Sequence, residues 1–210
     1  MQNSYFDLII DTSRYGMAMG LYRDNEIHEH FDENARGEVA GVVLDKLLLA
    51  ASTSLDDVKR VLVTLGPGSF TGLRTGIAFC QGLCFSGKRS LYGVSTLQAL
   101  SSLAHIDNNA VLMKARPGYW YLRFQEHEHF CSTEEALAII TVSNSPLEIV
   151  GDSFTAEDSE IGDFIKRRGV KWTPFSGRSL STFLKFFDEL QPSLIQDANY
   201  IQPSYFEKLK

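Results

Sequence analysis

The run Gly66-Pro67-Gly68-Ser69-Phe70-Thr71-Gly72-Leu73-Arg74 constrains this chain more than any other segment. It follows a short apolar stretch, Val61 to Leu65, that reads as a strand, and it opens a long helical pattern starting near Ser69. A Gly-Pro-Gly turn followed by a hydroxyl is what a strand-to-helix junction needs: a rigid bend, then a side chain able to cap free N–H groups. Gly68, Gly72 and Gly76 recur every four residues and therefore line one helix face. Each interior glycine costs about 1 kcal/mol against alanine, so a stripe of them implies close approach by another piece of backbone. Two partners satisfy that requirement: the chain's own sheet, or a helix of a second protein. A Walker-type phosphate cradle is not supported, because that pattern needs Lys followed by Ser or Thr where Leu73-Arg74 stands.

Around this junction the pattern alternates strands and helices. Asp7-Leu8-Ile9-Ile10 reads as a buried strand ending in Asp11-Thr12-Ser13, Met17 to Tyr22 as its hairpin partner, and Glu26 to Phe31 as a third strand. Ala40, Val43, Leu44, Leu47, Leu48 and Ala51 mark an amphipathic helix, and Ser95 with Gln98 a capping box for another reaching about Ala104. Polar Asp107-Asn108-Asn109 is the natural boundary between residues 1–106 and 107–210. Beyond it come a hairpin around Pro117-Gly118 and a short helix capped by Ser132 and Glu135. A strand from Leu147 to Val150 follows, then helices bearing Ile161, Phe164, Ile165 and Leu180, Phe183, Leu184, Phe187, with Trp172 on a strand between them. The expected class is α/β in two related lobes.

Charge and composition narrow the function. Twenty Lys and Arg against twenty-six Asp and Glu give a net charge of −6, which argues against a primary nucleic-acid binder. Lys166-Arg167-Arg168 reads as the solvated end of a helix, where cations suit the dipole. Cys80, Cys84 and Cys131 are too few for a disulfide framework and read as buried fillers. With no leader pattern after Met1 and no apolar window approaching a membrane span, the expectation is a cytoplasmic protein off the membrane.

Local chemistry offers one carboxylate. Asp11, at the end of a buried strand with Thr12 and Ser13 beside it, suits either an Asx-turn or a phosphate- or metal-binding acid. His127 with His129, and His28 with His30, alternate along strand-like segments; two histidines without a third ligand read as surface residues, so no metal site is expected.

Taken together, Ile9-Ile10-Asp11-Thr12-Ser13, the Gly66–Arg74 signature, its continuation Gly76-Ile77-Ala78-Phe79-Cys80-Gln81-Gly82-Leu83 and Tyr92-Gly93-Val94-Ser95-Thr96-Leu97 resemble the TsaB (YeaZ) family. Past residue 100 the similarity narrows to Ala115-Arg116, Val150-Gly151-Asp152 and Pro203-Ser204-Tyr205. The resemblance implies a two-lobed actin-like, sugar-kinase-like (ribonuclease H-like) fold of the ATPase superfamily, with mixed sheets flanked by helices. It implies a non-catalytic scaffold that activates a TsaD-type sister enzyme, with a TsaE-type ATPase as helper, in threonylcarbamoylation of tRNA. The tRNA would be met only through the complex, no cofactor is implied, and a homodimer is expected when the protein is alone. In the sister family two histidines four apart occupy places where Thr96 and Leu100 stand here, so a metal site is not inherited. The resemblance places the docking face on Gly68, Ser69, Phe70, Thr71, Gly72, Leu73 and Gly76, beside Leu44, Leu47 and Leu48. It makes Asp11, Thr12 and Ser13 a vestigial nucleotide site. On that reading Gly72→Leu weakens partner binding more than the fold. Two departures are Lys114 in Lys114-Ala115-Arg116, where relatives carry Asp, and Arg36-Gly37-Glu38, which lacks a His-Ser opening. The rival function is an ATP-dependent small-molecule kinase using Asp11.

Overall fold

In the first unit, near-continuous apolar runs make the strands Phe6–Asp11 and Met17–Arg23 buried on both faces, whereas the edge strand Glu26–Asp32 stays half-exposed. The computed structural model describes residues 4–14, 16–32, 34, 39–142, 146–175 and 180–202. Residues 36–38 and 203–205, which carry two of the family comparisons above, lie outside that set. The unit comprises Met1–Thr96 together with Gly177–Asn199. Its strands are β1 (Phe6–Asp11), β2 (Met17–Arg23), β3 (Glu26–Asp32), β4 (Val58–Thr64) and β5 (Ser90–Val94), in the order β3-β2-β1-β4-β5. β1 runs antiparallel to β2, with Asp11 opposite Ala18, and parallel to β4, with Ile10 opposite Val63.

Helices α1 (Ala40–Ala50) and α2 (Phe70–Cys84) cover one face of this sheet. Their inward residues, Val43, Leu44, Leu47 and Leu48 on α1 and Leu73, Ile77, Cys80 and Cys84 on α2, share one core with Phe6, Leu8 and Ile10. Each such leucine contributes about 2 kcal/mol by leaving water. Both helices therefore lie on the same side of the sheet and turn their outer faces away from it. Residues 177–199 return to this unit. Leu180 N donates to Glu29 at 2.8 Å, Arg60 pairs with Asp188 at 3.3 Å, and the Tyr92 and Phe187 rings meet edge to face at 5.2 Å. The helix expected over 180–187 is two short turns instead, Ser181–Phe183 and α7 (Phe186–Glu189).

The second unit, Leu97–Ser176 with Tyr200–Lys210, repeats the topology of the first. After α3 (Thr96–Ser101) come β6 (Asn109–Arg116), β7 (Tyr119–Phe124), β8 (His127–Ser132), α4 (Thr133–Thr141), β9 (Glu148–Gly151), α5 (Ser153–Glu157), α6 (Ser159–Arg168) and β10 (Lys171–Pro174). The sheet order β10-β9-β6-β7-β8 is the order of the first unit with each strand replaced by its counterpart. Ser132 and Glu135 form the expected reciprocal cap of α4. Contacts divide the chain at Thr96/Leu97 and send 177–199 back to the first unit, whereas the polar run in the sequence suggests one boundary at 106/107.

One buried acid pins this second sheet. Glu148 is fully buried and accepts from His105 N (2.8 Å), His105 Nδ1 (2.8 Å) and Thr173 Oγ1 (2.5 Å), with Lys171 Nζ at 3.4 Å. Burial alone would raise its pKa, but these hydrogen bonds outweigh burial and bring it down to about 2. A depressed carboxyl contributes stability above its unfolded value and loses it as pH falls through the folded one. Acid unfolding should therefore draw on Glu148 between about pH 5 and pH 2. Glu148→Gln should cost about 2 kcal/mol at neutral pH, less than a deep ion pair because His105 and Lys171 keep their water. Chemical denaturation at pH 7 and pH 3 checks both: the variant should differ from the parent less at pH 3.

Candidate functional site

The Asp11 turn and the glycine stripe, far apart in sequence, meet each other in the folded chain. Ser69 caps α2, its Oγ accepting from Gly72 N at 3.3 Å, and Ser69 N donates to Ser13 O at 2.6 Å. This lays the start of α2 directly on the turn after β1. A Cβ built on Gly68 would stand 2.0 Å from Ser13 O, one on Gly72 2.2 Å from Thr12 O, and one on Gly76 2.1 Å from Thr12 Oγ1. Gly68 also holds φ +155, a conformation side-chain-bearing residues rarely adopt. The stripe is thus occupied by the chain's own Thr12-Ser13 backbone, the first of the two partners its spacing allowed. The clash expected for Gly72→Leu is internal, which moves the damage from the docking face to the fold.

Asp11 is engaged on every side. Oδ1 accepts from Ser13 N (2.9 Å), Ser13 Oγ (2.5 Å) and Thr64 Oγ1 (2.8 Å); Oδ2 accepts from Arg14 Nε (3.0 Å) and Nη2 (2.6 Å). Burial pushes the carboxyl up, but the Arg14 charge and the hydrogen bonds from Ser13 and Arg14 hold it below the usual carboxylate range. The Ser13 N–H bond is the Asx-turn geometry anticipated from sequence. Thr12 Oγ1 is buried against Gly76 and has no hydrogen-bond partner among the described residues. Asp11, Thr12 and Ser13 are therefore brought together, and what they face is the N-terminal half of α2.

The residues assigned to docking separate into two groups. Leu44, Leu47, Leu48 and Leu73 are buried in their own unit's core, and Gly68, Gly72 and Gly76 are taken up as described. Ser69, Phe70 and Thr71 remain exposed. Beside Phe70 (54% exposed), which the sequence reading places on the docking face, the outer faces of α1 and α2 carry apolar residues that periodicity reasoning passed over: Val42 (57%) and Leu49 (81%), with Phe85 (81%) capping the end of α2. Gly41 and Gly82 belong to the same two helices, and a Cβ added to either would meet nothing within 4 Å, so the surface there is low. The readable signal was apolar residues standing off the core stripe of each helix.

The remaining motifs have local uses. Lys114 Nζ lies 4.1 Å from the Trp120 ring centroid and 3.7 Å from Asp158. Asp152 caps α5, accepting from Thr155 N (3.0 Å) and from Lys114 N (3.0 Å). Thr96 Oγ1 accepts from Gly66 N at 3.2 Å, and Leu100 is buried. Burial pushes the Cys84 and Cys131 thiols up to about 11. Among the described residues no three His, Cys, Asp or Glu side chains gather as metal ligands, and no helix is long and apolar enough to cross a membrane.

Comparison with known proteins adds to this geometry. The family model of tRNA N6-adenosine threonylcarbamoyltransferase, TsaD, matches residues 34–143, just over half of the chain. The tRNA threonylcarbamoyladenosine biosynthesis protein TsaB of Escherichia coli is 30% identical over 141 residues, 63% of this chain and 61% of that protein. A second TsaB, from Buchnera aphidicola, is 35% identical over 46% of this chain and 47% of its own length. The chain thus aligns to less than two-thirds of these curated relatives. Among solved structures, a Pseudomonas aeruginosa protein described as similar to peptidase YeaZ superposes with TM-score 0.69 at 20% identity, covering 94% of this chain and all of that one. The superposition shows that the fold is shared: an α/β chain with two mixed sheets flanked by helices.

Proposed function

Since this chain belongs to the family of TsaD and, within it, to the TsaB (YeaZ) members, we propose that it is a non-catalytic scaffold and activating subunit in tRNA threonylcarbamoyladenosine formation. Its partner would be a TsaD-type threonylcarbamoyltransferase, with a TsaE-type ATPase in the same assembly and tRNA reached through the complex. The observation that carries this reading is the pair of outward apolar helix faces, with Val42 and Leu49 on α1 and Phe70 and Phe85 on and just after α2. Both helices lie over one face of one sheet, and exposed apolar side chains on their outer surfaces fit a helix-packing interface. Asp11, whose two oxygens are already held by Ser13, Thr64 and Arg14, favours a supporting role over an ATP-dependent kinase.

On this reading docking shifts the partner toward its active conformation through differential binding. The same face would join two copies of the chain when the partner is absent. The test is co-purification of the tagged chain with the TsaD-type protein, for the parent and for Leu49→Asp/Phe85→Asp. Both positions are exposed, so the double variant should keep its melting temperature while binding at least tenfold more weakly, a loss of about 1.4 kcal/mol or more. Undiminished binding, or no TsaD-type partner recovered by the parent, would overturn the proposal.

A further inference from the structure

We propose that Arg116 is the centre of an oxyanion-binding site on the β6–β7 hairpin, on the face of the second sheet turned away from its Trp120–Leu122 core. The hairpin is built to re-aim this side chain. Lys114 pairs with Trp120, but an extra residue, Ala115, interrupts the register so that Arg116 stands opposite Tyr119. Such bulges redirect one side chain out of the regular alternation. Here Arg116 comes onto the face of Tyr119, Tyr121 and Phe130. Tyr119 and Phe130, diagonal neighbours on β7 and β8, stack with centroids 5.2 Å apart and planes 8° from parallel. The guanidinium lies 4.2 Å from the Tyr119 centroid and 5.3 Å from that of Phe130.

The stack orients the guanidinium but satisfies none of its N–H groups. Arg116 Nε is buried with no hydrogen-bond partner, and no carboxylate pairs with this arginine among the described residues. Arg89 Nε is likewise unpartnered, but its terminal nitrogens donate to Leu83 O (3.2 Å) and Leu55 O (2.6 Å), and other partly buried arginines hold carboxylates. Arg14 holds Asp11 at 2.6 Å, Arg60 holds Asp7 at 2.6 Å, and Arg123 lies within 3.5 Å of both Glu126 and Glu128. A buried donor left unmet is unfavourable, so a ligand that meets it is favoured. A guanidinium held flat on aromatic rings presents its in-plane fork at low entropic cost, and that fork matches the oxygens of a phosphate or carboxylate. Tyr121 is part of the same surface, its hydroxyl donating to Gln202 at 3.0 Å.

The test is nuclear magnetic resonance of the side-chain Nε–H signals in the whole chain, titrated with inorganic phosphate and separately with acetate, each at ionic strength matched with sodium chloride. The expected result is a saturable shift of the Arg116 Nε–H. Saturation by phosphate alone identifies a phosphate-bearing ligand, and saturation by acetate a carboxylate-bearing one. Arg116→Lys keeps the charge but loses the fork and should weaken binding at least tenfold by calorimetry. Tyr119→Leu should weaken it with Arg116 intact. A signal that moves with neither anion, or equal affinity in Arg116→Lys, would overturn the assignment and leave the stack as a brace for the hairpin.

Discussion

Gly72→Leu should unfold the first unit, with partner binding lost to the same extent and at the same temperature. The atom in the way is Thr12 O, 2.2 Å from the new Cβ, and a backbone carbonyl held in a hydrogen-bonded turn cannot swing aside like a side-chain tip. Seating even an alanine requires α2 to lift off the β1–β2 turn, which would strain the Ser69–Ser13 bond and the burial of Leu73 and Ile77 beneath the helix. The expected loss is on the order of 4 kcal/mol or more, the range in which single substitutions unfold marginal domains. Gly82→Ala, in the same helix with nothing within 4 Å, should instead stabilise by up to about 1 kcal/mol. Thermal melts of the two variants beside the parent are the check. A Gly72→Leu protein that melts like the parent yet fails to bind a partner would return the stripe to the intermolecular reading.

Asp11→Ala should be the second large loss. It leaves the Arg14 guanidinium, the Thr64 hydroxyl and the Ser13 N–H and hydroxyl without their acceptor, in a place that water scarcely enters. Removing one partner of such a pair costs about 3–5 kcal/mol, because the remaining charge stays buried. Asp11→Asn keeps one acceptor oxygen and the shape, so it should cost clearly less. The folded carboxyl is held below its ordinary value, so its contribution is complete above the unfolded value near 4 and is lost as acid titrates the folded protein. Parent stability should fall toward low pH more steeply than that of Asp11→Asn, as read by denaturant unfolding at a series of pH values. Parallel curves would mean that the ion pair contributes nothing.

Much of the frame was legible because it is written in short-range patterns. The 3.6-residue apolar period of Ala40 to Leu48, the hydroxyl of Ser69 and the Ser132–Glu135 cap act over a few residues, and the structure has each of them. Apolar spacing suggests one helix over 180–187, but the segment breaks into two turns against the first unit. Burial of Phe183, Phe186 and Phe187 there does not require continuous helical hydrogen bonding.

By itself, then, the sequence determined that a glycine-lined helix follows the fourth strand, that Asp11 ends a buried strand, and that strands and helices succeed one another in two similar sets. Tertiary structure decided what those features touch. It brought Thr12 and Ser13, from the far end of the first strand, under Gly68 and Gly72, and Thr64 onto Asp11. It also sent 177–199 back to the first unit and re-aimed Arg116 by one extra residue in a strand. The reason is one of range. Caps and periodicities are set by neighbours within a turn or two, whereas the partner of a small residue or a buried charge is whichever surface the whole chain's packing delivers to it.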